Sequence, residues 1–177
     1  MSAAAKPPGA GRKRGPPYIG VHLSAARGYE QAGRTAIAIG ADTLSIFLRN
    51  PRGGRARAFD ASDMLAFGKL LRENNFAPVA AHAPYTMNIA APLNGARLHA
   101  AEMLAEDLTR MEYMPGNLYC LPPGTFQPGA AGGQTARAEA LARAADTLNL
   151  VLRPGMHTTV LLETMAGGAH ELGGKFE

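Results

Sequence analysis

Three residues with metal-binding or acid–base side chains stand where apolar runs end. His22 closes Tyr18-Ile-Gly-Val-His-Leu, His82 sits in Val79–Asn88 (VAAHAPYTMN) just before Pro84, and Glu163 closes TTVLLE. Proline can continue neither a strand ladder nor a helix, so the run carrying His82 must stop at Pro84. In parallel α/β proteins the C-terminal ends of strands are where ligands and catalytic groups collect, because the loops there vary while the strands stay rigid. Imidazole and carboxylate groups converging from separate strands are the ingredients of a zinc or manganese site. Taken singly, each residue is read equally well as structural; His82, for instance, could be a core histidine bonded to a backbone carbonyl.

The loop after the second apolar run, Arg49-Asn-Pro-Arg-Gly-Gly-Arg, falls at the same end as His22. Guanidinium groups on a strand-end loop suit phosphate contact, although arginine loops that are simply solvated are common. His99 lies within a helical pattern and is expected at the surface. His157 precedes its strand and so belongs at the opposite end from the other candidates.

The elements that must position these groups alternate along the chain. Strands are expected over 18–23, 43–48, 79–82, 117–121 and 158–163. Helices are expected over 29–39, 64–75, 98–112 and 135–152. Gly40 is expected to cap the first at its C-terminus, Asp60 or Ser62 the second at its N-terminus, and Asn94 the third. Leu98, Ala101, Met103, Leu104 and Leu108 form the expected apolar face of the third. Alternation at this spacing implies right-handed βαβ units and a parallel sheet. Five strands and four helices amount to roughly the first half of a (β/α)8 barrel, whose usual length of about 250 residues exceeds the 177 here.

Composition bounds the function. Hydrophobic residues make up 46% of the chain, enough for one globular domain with a core. The net charge of +4 favours a polyanionic partner, but Lys6, Arg12, Lys13 and Arg14 carry much of it. Residues 1–17, rich in proline, glycine and basic groups, read as a disordered arm, more simply a solvated extension than a phosphate-binding one. A lone cysteine, Cys120, fits a reducing, cytoplasmic setting. No stretch is long and apolar enough to span a bilayer, and the N-terminus has no signal-like apolar core.

The local sequences are more specific than the spacing. YIGVHLSAARG, HAPYTMNIA and LLETMAGGAHELGGKFE, in that order, resemble the endonuclease IV family, zinc-dependent apurinic/apyrimidinic endonucleases of base-excision repair, over 18–177. The resemblance implies a TIM barrel with a three-zinc site at the C-terminal ends of its strands, and hydrolysis of the phosphodiester 5′ to an abasic site in double-stranded DNA. It implies that His82 is a zinc ligand and that Glu163 is a catalytic carboxylate shared between metals, with manganese the alternative ion. It places His22 beside the site without ligating, and Arg52 and Tyr85 against the opened DNA, where such side chains fill or wedge the stack.

Two departures stand out. Where the family's fourth strand ends in His-Pro-Gly, this chain reads Leu121-Pro122-Pro123-Gly124, which puts Pro122, with no donor atom, at a ligand position. The family's later ligands have no counterpart before Glu177. On this reading the chain is expected to be a fragment or decayed copy, poorly active on abasic DNA by itself. The alternatives are a non-catalytic DNA-binding remnant, an inert fragment, or a metal-dependent sugar-isomerase-like barrel, which would have no use for the Arg52 loop.

Overall fold

A computed structural model describes residues 17–53, 58–128 and 133–174. The segment expected to form a disordered arm lies outside the described residues up to position 16, as does Arg55 of the arginine loop. Five strands, β1 (Gly20–Leu23), β2 (Thr43–Phe47), β3 (Ala80–His82), β4 (Leu118–Leu121) and β5 (Thr159–Leu162), form one sheet in the order β1-β2-β3-β4-β5. Every pairing is parallel. Helices α1 (Tyr29–Ala38), α2 (Ala61–Glu73), α3 (Asn94–Met111) and α4 (Gly133–Val151) make the four crossovers. This is the strand-and-helix alternation expected, and it forms part of a TIM barrel.

Side chains alternate across the sheet with the period of two that a strand imposes. Leu44, Ile46, Ala81, Tyr119 and Leu121 are buried and join Met64, Phe67, Leu104, Leu108 and Ala140 of the helices in one core. The opposite parity, Ser45, Phe47, Ala80, His82, Leu118 and Cys120, is only half-buried. The candidate site therefore lies on the sheet face that the helices leave open.

The helix ends follow from local chemistry. Gly40 N–H donates to the Ile37 carbonyl and Ala41 N–H to that of Ala36, a Schellman closure with Gly40 at φ 78°. Asn75, at φ 54°, closes α2 the same way, with Phe76 N–H donating to the Leu71 carbonyl. Asp60 caps the start of α2, accepting from the N–H groups of Ser62 and Asp63. α1 has no side-chain cap of its own. Asp63 supplies one from α2, accepting from the N–H groups of Tyr29 at 2.7 Å and Glu30 at 2.9 Å.

Two expectations need correction. α3 begins at Asn94 itself, and the capping position falls on Leu93, one residue earlier than expected. Leu98, assigned to the buried face of α3, is 53% exposed. The face is instead completed by Asp107 and Arg110, both buried.

Candidate metal centre

His82 is the last residue of β3, and its register partner on β4 is Cys120. Glu163 follows β5 directly, its N–H donating to the Leu121 carbonyl at 2.9 Å, which fixes its backbone to the end of β4. Parallel pairing thus carries three donor groups to one end of the sheet. One ligand atom from each of His82, Cys120 and Glu163 lies within 4.8 Å of the others. Tetrahedral bonds of about 2.0–2.3 Å hold donors roughly 3.3–3.8 Å apart, so small side-chain adjustments close the set on an ion.

The hydrogen bonds at His82 point the same way. Its Nδ1 lies 2.7 Å from the Ala83 carbonyl oxygen, which can only accept, so Nδ1 carries a proton. Its Nε2 then faces Glu163 Oε2 at 3.1 Å, again an acceptor. A backbone carbonyl orienting the imidazole, with the other nitrogen left for the metal, is the usual support of a ligating histidine. Three donors suit one four-coordinate ion with a position open to water or substrate. Among the described residues they do not amount to the three-metal site that the sequence resemblance implies.

Sequence reasoning passed over Cys120, reading it only as a sign of redox setting. The missed signal was parity: in Leu118–Leu121 the apolar Tyr119 and Leu121 face the helices, so Cys120 must share the open face with His82. Burial, and after it the charge of Glu163, push the Cys120 thiol above its ordinary range. Pro122, just beyond β4, brings no donor.

His22 reaches the same end of the sheet but touches the centre through Phe47. Its ring lies 4.4 Å from that of Phe47, and the Phe47 and His82 rings are 5.5 Å apart. Burial, then the neighbouring His82, hold His22 below its ordinary value, so its imidazole is neutral at pH 7. A cleft of ≈ 670 Å³ opens beside it, lined by His22, Ser24, Tyr29, Phe47, Asn50 and Pro51.

Arg52 and Tyr85 occupy adjoining loops. Asn50 folds the first of these, its side chain accepting from Arg52 N–H at 3.0 Å while its carbonyl accepts from Gly53 N–H. Tyr85 N–H donates to the Pro51 carbonyl at 2.9 Å, joining the two loops. The Tyr85 ring is 69% exposed and stands edge-on to Phe47 at 5.6 Å. Of the other histidines, His99 is exposed on α3, His157 precedes β5 at the far end beside Glu112, and His170 stands edge-on to Phe126.

Arg49, the first residue of the arginine loop, is buried and turned away from any phosphate contact. Its guanidinium donates from Nε to both Asp107 oxygens at 3.0 Å and from Nη2 to Oδ1 at 2.7 Å, and also reaches Glu106. Tyr119 Oη donates to Asp107 Oδ2 at 2.7 Å. Burial opposes the Arg49 charge, but the two carboxylates outweigh it and hold the guanidinium protonated well above its ordinary value.

The model of the xylose isomerase-like TIM barrel family matches residues 34–177. The chain belongs to that family. Within it, the chain is similar to "Probable endonuclease 4" of Akkermansia muciniphila, 48% identical over 161 residues, which span 91% of this chain and 56% of that relative. It is similar in structure to endonuclease IV from Thermus thermophilus, with a TM-score of 0.73 at 26% identity, over 90% of this chain and 56% of that one. A D-psicose 3-epimerase from Clostridium cellulolyticum shares the fold alone, with a TM-score of 0.60 at 11% identity, over 84% of this chain and 52% of that one. The chain thus spans about half the length of the relatives it matches, and the likeness to endonuclease 4 proteins stands well above that to sugar epimerases.

Proposed function

We propose that this member of the family carries part of the centre of a DNA-repair endonuclease that hydrolyses the phosphodiester 5′ to an abasic site. The carrying observation is that His82 Nε2 and Glu163 Oε2 face one another at 3.1 Å on a strand-end rim in a chain similar to endonuclease 4 proteins. A divalent cation there, zinc or else manganese, would neutralise the scissile phosphate and lower the pKa of a bound water.

In this reading His82 and Glu163 hold the ion, and the Ala83 carbonyl fixes which imidazole nitrogen is offered. His22 stays neutral behind Phe47 and shapes the wall of the cleft without ligating. Arg52 enters the DNA at the lesion, and Tyr85, exposed on the adjoining loop, contacts the opened helix, the two filling or wedging the stack there. The two loops are tied by one backbone hydrogen bond, so the two side chains keep a common position on the rim.

Pro122, which offers no donor just beyond β4, supports a second reading, in which the chain binds abasic duplex without cutting it. Both are tested by incubating zinc-loaded protein with a duplex bearing one abasic site and with the intact duplex. Metal-dependent nicking confined to the abasic strand, lost in Glu163→Gln, supports the first. Salt-sensitive binding without nicking supports the second. Equal affinity of the wild type and Arg52→Ala for both duplexes would remove the lesion-reading role of the loop.

A further inference from the structure

We propose that Cys120 is a metal ligand, completing with His82 and Glu163 a nitrogen–sulfur–oxygen set for one thiophilic divalent cation. The inference rests on the metal-centre reading above and adds to it a donor and a metal preference. Register places the thiol opposite His82 on the neighbouring strand, on the half-buried face of the sheet and not among the core side chains. Its sulfur belongs to the one group of potential donors in mutual reach found among the described residues.

The chemistry of the set follows. On binding, the thiol gives its proton to solvent and the sulfur lone pair bonds the metal, with no change in oxidation state. A thiolate selects zinc, cobalt(II) or cadmium over magnesium, calcium and manganese, which prefer oxygen. The centre therefore takes zinc and discriminates against manganese, whereas a site of imidazole and carboxylate alone would accept both.

Cobalt(II) titration of the full chain tests this, because the chain holds a single cysteine and any sulfur-to-cobalt charge-transfer band in the near ultraviolet is assigned without ambiguity. The wild type is expected to show visible d–d bands together with that band. Cys120→Ser is expected to lose the charge-transfer band and to bind cobalt more than about 100-fold more weakly, beyond the loss caused by removing a merely supporting hydrogen bond. Zinc, and not manganese, is expected to protect the wild-type thiol from alkylation by iodoacetamide, a readout that needs no substitution. Saturable d–d bands without a charge-transfer band, together with unchanged affinity in Cys120→Ser, would overturn the cysteine assignment and leave the His82–Glu163 centre standing. Absence of any saturable cobalt binding by the wild type would overturn both.

Discussion

At the scale of single residues, the side chains that hold the rim are as informative as those that face the cleft. Arg49 precedes the loop of Arg52 and anchors it to α3 through Asp107, which Tyr119 of β4 also bonds. One buried carboxylate thereby fixes a loop, a helix and the strand that bears Cys120. Removing it leaves a buried guanidinium whose chief partner is gone, a defect that costs about 3–5 kcal/mol in comparable pairs. Asp107→Ala is expected to lower the urea midpoint by a corresponding amount, and Tyr119→Phe, which removes one hydrogen bond, to cost about 1 kcal/mol. Equal small losses in both variants would show that Asp107 is not the hub. None of this was legible in the sequence. The partner of Asp107 lies 58 residues away in the chain, and no local period connects them. His82 and Glu163 were legible, since the apolar runs before them and the proline after one of them fix where strands end.

At the scale of elements, the boundaries were readable where a residue acts on its own backbone. Asp60, Gly40 and the Asn74–Asn75 stop of α2 fall where their chemistry demands. They were less readable where another element does the work, as with α1, which borrows its cap from Asp63. The start of β5 is another borrowed end. Glu112, just past α3, accepts from the N–H groups of His157 and Thr158 and from the Thr158 hydroxyl. Partial burial opposes its charge, but those donors outweigh burial and hold the carboxyl at about 2, against an ordinary 4.5. A carboxyl lowered in the folded state stabilises the fold above its unfolded pKa and loses that contribution as pH falls through the folded one. The Glu112 contribution is therefore expected to be complete above pH 4.5 and to vanish towards pH 2. Allowing for the exposure of the carboxylate, it is on the order of 2 kcal/mol. Glu112→Gln should flatten this part of the pH–stability curve measured by urea unfolding. A variant curve that kept the wild-type slope between those limits would place the acid sensitivity elsewhere.

At the scale of the whole molecule, the sheet has two edges. Among the described residues β1 and β5 each pair on one side only, and Ile19, Val21, Leu161 and Leu162 on or beside them are exposed. Unpaired strand edges bearing apolar side chains are templates for association. The 177-residue chain is expected to sediment with a weight-average mass that rises with concentration, and Val21→Lys with Leu162→Lys to reduce that rise. A strictly monomeric wild type would show these edges to be inert. Half of a closed barrel could be read from the strand count, but not how openly its edges lie, because exposure depends on what packs beside a strand and not on the strand's own pattern.

The order of the sheet has a temporal meaning as well. Each strand pairs with the one made immediately before it, so no segment has to wait for a distant part of the chain before its hydrogen bonds are satisfied. A nascent polypeptide of this topology can lay down one βα unit upon another as it leaves the ribosome. His82 is in place before Cys120, and Cys120 before Glu163. The donor set is thus completed only once β5 has been made, and the metal has no full set of these donors to enter until the scaffold beneath it already exists.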